Sequence, residues 1–218
     1  LWVSYPTAKL FWYVLRHHGE YDFLHIHSVW GSILFTFGKS KIVEFHGDDV
    51  RRKPTMYSWV RRLPTKLFVN LYGLRNKIYV STPDLVHEVS NGVWLPNIVD
   101  TEHFKPMLTN RVAKSALYCS AWYESGVHAK NYAAEHGLNL TVLDRAGGDW
   151  VDHRDFPKYL NQFEYYIDRK EIRSLSKTGL EALACGLKVV NWQGTVCEGL
   201  PYFHEPKYVA QLSIKIYQ

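Results

Sequence analysis

Short runs of β-branched and aromatic residues alternate along this chain with longer segments whose apolar residues return every three or four positions. The runs FLHIHSV (23–29), KIVEFH (41–46), KIYVS (77–81) and VWLP (93–96) predict strands. Helical patterns separate them, most clearly over 56–74 and 83–90. After residue 108 the alternation restarts, with strands predicted at 115–120, 140–144, 163–168 and 187–192. The intervening helices fall at 126–138, 156–162 and 177–186. Such β-α-β order predicts parallel sheets flanked by helices.

The segment LPNIVDTEHFKPMLTN (95–110) breaks the pattern with two prolines and polar residues, and reads as a linker. The fold class expected is therefore α/β, with two small Rossmann-type domains, residues 1–105 and 106–218. In such sheets a ligand belongs at the carboxyl ends of the strands, here in a cleft between the domains. No solenoid repeat, heptad or low-complexity tract is present.

Composition narrows the classes. The chain has 218 residues, 46% apolar and 22% charged, which supplies a core and excludes disorder. No apolar run approaches the ~18–20 residues of a membrane span. The apolar start is interrupted by Pro6, Lys9 and Arg16 and lacks the marks of a signal peptide, so a cytoplasmic location is expected. Three cysteines without a CxxC pair argue against a disulfide framework or zinc ribbon. A net charge of +5 favours anionic partners without choosing among them.

The stretch LSKTGLEALACGLKVVNW (175–192) carries the most chemistry. A helix is expected to begin near Ser176 to Thr178 and to end at Gly186. Helix N-termini offer unpaired N–H groups and partial positive charge, which suit a phosphate. Lys177, Ser176 and Thr178 would add a cation and hydroxyl donors there. Glu181, one turn inside, is a natural acceptor for a ribose diol. The alternative reading is an N-capping serine, a close-packed small-residue helix and a solvated glutamate.

The segment SKTGLEALACGLKVV resembles the "lEAmAcGlPVV" run of retaining GT-B glycosyltransferases of the GT4 type (glycosyl transferases group 1). YDFLHIHSVWGS (21–32) with KIVEFHGDDVRR (41–52) is similar to that family's "DvvHaHs…TfHGdd", and 76–106 resembles its domain junction. The matches come in family order. The resemblance implies a GT-B fold and transfer of a sugar from a nucleoside-diphosphate-sugar donor to an acceptor hydroxyl, with retention. It further implies that Glu181 holds the ribose and that the helix start contacts the diphosphate. The other reading is a non-catalytic GT-B-like module that binds sugar or nucleotide.

Departures from the pattern are specific. The family's sugar-gripping glutamate, eight residues before Glu181, is replaced by Arg173, with Asp168 and Glu171 as nearby acids. The phosphate-binding Arg and Lys after the first strand of the second domain are missing. Lys177, Arg173 or Arg145 are the candidates to supply that charge. His46 matches a histidine that meets the donor sugar; the plainer role is loop capping. Asp48 and Asp49 either bind acceptor hydroxyls or start the next helix. His25 and His27 alternate on a strand and so share a face, but no third ligand accompanies them. The resemblance and the absence of a DxD motif imply no metal and no other cofactor. From Arg51 to Arg75 the chain is basic and aromatic. That composition suits either a solvated face over a core, or peripheral contact with the inner face of a membrane and a lipid-linked acceptor. No motif supports nucleic-acid binding.

Overall fold

The apolar runs become strands, and the most deeply buried of them lie inside the sheets rather than at their edges. The computed structural model describes residues 12–13, 16–20, 23–27, 40–46, 71, 77–120, 126–144 and 147–217. It divides into two compact units, residues 1–96 and 97–218.

In the first unit, β1 (Phe23–His27), β2 (Ser40–Phe45), β3 (Ile78–Val80) and β4 (Gly92–Trp94) form one parallel sheet in chain order. Val43, Phe45, Ile78, Val80, Leu85 and Val89 make its core. The helix expected over 83–90 is a single 3-10 turn, Pro83–Leu85, followed by further turns. Residues 81–91 must return the chain from the end of β3 to the start of β4, and so short a crossover leaves no room for a regular helix. It packs hard on β4: a Cβ on Gly92 would lie 2.7 Å from the Val86 carbonyl oxygen and from Val89 Cγ2, so only glycine fits. The helical pattern predicted at 56–74 lies outside the described residues apart from Leu71.

The second unit holds β5 (Val112–Cys119), α1 (Val127–Glu135), β6 (Asn139–Leu143), α2 (Phe156–Leu160), β7 (Phe163–Ile167), α3 (Lys177–Ala184), β8 (Lys188–Val190), β9 (Val196–Cys197) and α4 (Pro206–Tyr217). Its sheet has the order β6-β5-β7-β8-β9, parallel except for β9. Alternation sends Leu117, Tyr166 and Val189 into one core with Phe156, Leu160, Leu180 and Leu183. Ala116, Tyr118, Ile167 and Val190 face the other way, onto Ala129, Tyr132 and Ala133 of α1. Helices thus cover both faces, and the order reverses at β5, whose neighbours are β6 and β7. That reversal is the switch point at which such sheets take ligands.

The division between units falls after Pro96, nine residues before the boundary expected at 105/106. Residues 97–110 are not a loose linker but part of the second unit. Val99 and Phe104 are buried in its core. The Val99 amide donates to the His204 carbonyl at 3.0 Å, and the fully buried Asn161 binds the Met107 amide and the Lys105 carbonyl. Helix α4 and strand β9 were not anticipated, although Pro206 at the first helical position was a usable signal. Among the described residues no helix is long and apolar enough to cross a membrane.

Candidate functional site at the carboxyl ends of the second sheet

Helix α3 starts where β7 ends, and the loop 168–176 joins them. Ser176 is the N-cap: its backbone is extended and its Oγ accepts from the Gly179 amide at 3.0 Å. Asp168 closes the arrangement. Its Oδ2 accepts from the Ser176 amide at 2.6 Å, and its Oδ1 accepts from Ser176 Oγ at 2.8 Å and Lys170 Nζ at 2.9 Å. The carboxylate is only 3% exposed. It also touches the helix itself, since a Cβ on Gly179 would lie 2.7 Å from Asp168 Oδ2. The far end is held as firmly: Arg111 donates to the carbonyls of Cys185 and Gly186 at 2.6 and 2.5 Å. Gly186 then turns the chain with φ +79°, the left-handed conformation that ends many helices.

This geometry revises the reading of Asp168. Expected to stand in for a sugar-gripping acid, it is buried and bonded to Ser176 at the start of α3 and to Lys170 in the loop before it, so it positions Ser176. Its negative charge lies against the positive helix end and is balanced by Lys170. The amides of Lys177 and Thr178 meet no acceptor among the described residues. Lys177 is exposed and Thr178 half-buried, so the tip of the helix is open on that side. Arg173 and Glu171 are both exposed on the loop before it. Glu181, one turn in, is buried at 5% exposure. Its carboxylate is close enough to act on Cys185, whose thiol is pushed up to about 12 chiefly by burial, with Arg111 opposing and Glu181 adding.

Two cations on this edge were missed in the sequence. Lys170 is two residues from the buried acid it pairs with, which was a legible clue. Arg169 lies with its guanidinium 5.7 Å from the centre of the Tyr132 ring and against the Gly194 turn. It makes no ion pair or hydrogen bond among the described residues, so its donors remain for an anion. At the neighbouring strand ends Ser120 Oγ donates to Asp144 Oδ1 at 2.8 Å, tying β5 to β6. Arg145, one residue further on, lies outside the described residues.

In the first unit His46 follows β2 and is exposed. Its Nε2 is 3.6 Å from Glu44 Oε1, and His25 Nε2 is 3.1 Å from Glu44 Oε2. Glu44 is 6% exposed and was also missed, although a lone acid in the apolar strand KIVEF is unusual. Asp48 and Asp49 lie outside the described residues. No group of three or more His, Cys, Asp or Glu side chains placed to hold a metal occurs among the described residues.

A sucrose-phosphate synthase (tll1590) from Thermosynechococcus elongatus has a similar structure, with a TM-score of 0.56 over 87% of this chain. The fold is GT-B-like. The likeness is one of fold, since the two sequences are 14% identical, and this chain spans 62% of the length of that one. No family model matches the sequence, and no curated protein matches it either. Within the GT-B-like fold, the structure brings Asp168, Ser176, Lys177 and Thr178 to the beginning of one helix. His46 belongs to the other unit.

Proposed function

We propose that this protein transfers a sugar from a nucleoside-diphosphate-sugar to an acceptor hydroxyl, with retention, in the manner of the GT4-type enzymes its motifs resemble. The observation that carries the reading is the start of α3. It lies at a carboxyl strand end beside the switch point, with two amides open, Lys177 exposed at its tip and an ordered serine cap. The fold likeness to a sucrose-phosphate synthase supports sugar chemistry on this scaffold.

In this account the diphosphate sits over the Lys177 and Thr178 amides, with Lys177, Arg173 and Arg169 supplying the charge that the missing Arg and Lys would give. Glu181 accepts from the ribose hydroxyls. His46 meets the sugar, and Asp48 and Asp49 meet the acceptor. The bond from the sugar carbon to the phosphate oxygen breaks, and the acceptor oxygen bonds to that carbon on the same face. The acceptor's proton leaves with the diphosphate. Catalysis then rests on charge stabilisation and positioning, and no protein nucleophile is required. A lipid-linked acceptor would give the basic aromatic segment 51–75 a role at an anionic membrane surface.

Calorimetry with UDP-, GDP- and ADP-sugars, followed by donor-hydrolysis and transfer assays, tests the reading. Glu181→Ala is expected to weaken nucleoside-diphosphate binding by about 1–3 kcal/mol, the scale of a hydrogen bond to a charged group. If no donor binds, or the variant binds as tightly as the parent, Glu181 and the α3 start are not the nucleotide site. A second reading, binding without turnover, is favoured by Arg173 at the expected acid position and by the internal bonding of Asp168. Saturable donor binding with neither hydrolysis nor transfer would select it.

A further inference from the structure

The loop after β6 leads the chain back toward α2 and is tied down on both sides of one exposed ring. Asp144, the first residue past the strand, accepts on Oδ1 from Ser120 Oγ at the end of β5, at 2.8 Å. Its amide donates to Asp149 Oδ2 at 3.1 Å, and the Asp149 amide donates back to the Asp144 carbonyl at 2.9 Å. The tight return between them needs its two glycines. A Cβ on Gly147 would lie 2.8 Å from Asp144 Oδ2, and Gly148 has φ +100°. Val151, beyond the turn, packs on the core. Between the doubly bonded Asp149 and the anchored Val151 stands Trp150, 72% exposed. Its indole makes no hydrogen bond and no ring contact among the described residues.

A single exposed apolar side chain is ordinary on a protein surface, so exposure by itself assigns nothing. What sets Trp150 apart is its place. β6 and β7 flank β5, which puts their ends about 10 Å apart at the usual strand spacing. Val151, after the tryptophan, and Leu175, before the cap of α3, pack on one buried cluster, so both loops belong to the same face of the sheet. A nucleoside diphosphate with its phosphates on the α3 start is long enough to reach across the end of β5 to Trp150. An indole offers a large flat π-face, and every nucleobase has a π-face to lay on it. Because the flanking backbone is already bonded in place, little freedom is lost when a ligand stacks there. We infer that Trp150 is the platform on which the base of the nucleotide stacks. This role rests on the nucleotide reading of the α3 start and adds the group that holds the base. It supplies affinity without choosing among bases, since stacking tolerates base identity.

The test is calorimetry on the full chain with UDP, GDP and ADP, set against ribose 5-diphosphate, which carries the same phosphates and no base. The parent protein is expected to bind the nucleotides more tightly than ribose 5-diphosphate. Trp150→Ala should weaken each nucleotide about 10-fold, the scale of one lost stack, and leave ribose 5-diphosphate unchanged. Trp150→Phe keeps an aromatic face and should recover most of the loss. Fluorescence gives a second readout: nucleotide should quench the emission of the parent more than that of Trp150→Phe, which lacks only this indole among the eight tryptophans. That difference decides the matter even if Trp150→Ala fails to fold. Equal nucleotide affinity in the parent and a folded Trp150→Ala overturns the platform and leaves the α3 reading standing. So does a parent that binds ribose 5-diphosphate as tightly as the nucleotides. An equal loss for ribose 5-diphosphate in Trp150→Ala also overturns it, because the effect then lies on the phosphates or the fold. A parent that binds none of the four probes overturns the α3 site, and the platform with it.

Discussion

Among the described residues two carboxylates are buried at carboxyl strand ends, one in each unit, and they are held differently. Asp168, after β7, is bonded to a backbone amide, a serine hydroxyl and a lysine ammonium. Glu44, at the end of β2, is held by imidazole nitrogens. An amide and an ammonium have no choice of where their protons sit, so Asp168 is a fixed anchor for the start of α3. The 3.1 Å bond between His25 Nε2 and Glu44 instead ties β1 to β2 across the sheet. The same physical requirement, a partner for a buried charge, gives an anchor for a helix in one unit and a tie between two strands in the other.

The largest effect is expected where the anchor is removed. Asp168→Ala leaves Lys170 and the Ser176 amide without their partner, and breaking such a buried pair typically costs about 3–5 kcal/mol. Chemical denaturation measures it; a loss under about 1 kcal/mol would mean that Asp168 is not an anchor and the contrast with Glu44 fails. A smaller loss follows from crowding the same contact. Gly179→Ala puts a Cβ 2.7 Å from Asp168 Oδ2, and overpacking of this kind costs about 1–3 kcal/mol. If Asp168 yields by moving, donor binding should fall with stability, because Ser176 and the helix tip move with it.

The smallest effect concerns a histidine whose tautomer is fixed by a carbonyl. His204 is buried and its Nδ1–H donates to the Asn97 carbonyl at 2.7 Å. Burial pushes its pKa below the ordinary 6.5, with that hydrogen bond opposing. The unfolded chain therefore binds this proton more readily than the folded one. The contribution is complete above about pH 6.5 and is lost as the pH falls from there through the folded pKa. Denaturation midpoints of the second unit should drop across that window, and His204→Asn should flatten the drop. An unaltered pH profile in the variant would remove His204 from the acid sensitivity of this unit.

Much of the fold was legible because strand burial writes itself into local pattern. Every predicted strand appears, displaced by a few residues at its ends, and α3 begins and ends where Ser176 and Gly186 signalled. The helix over 83–90 failed because the length of a crossover is a property of two strands, and periodicity within one segment does not report it. The boundary at 105 failed for a similar reason: prolines and polar residues resemble a linker, while the burial of Val99 and Phe104 against distant strands is invisible locally.

The candidate site divides in the same way. The sequence alone determined the helix start, its cap, its exposed cation and the alternation that builds two parallel sheets, since each depends on neighbours within a few residues. Only the tertiary structure decided that Asp168 faces inward to the helix, that Arg169 lies over Tyr132, and that Glu44 sits between two rings. Those assignments depend on strand register and on which buried charge finds which partner. Register and pairing are settled by contacts between segments far apart in the chain, and no local pattern encodes them.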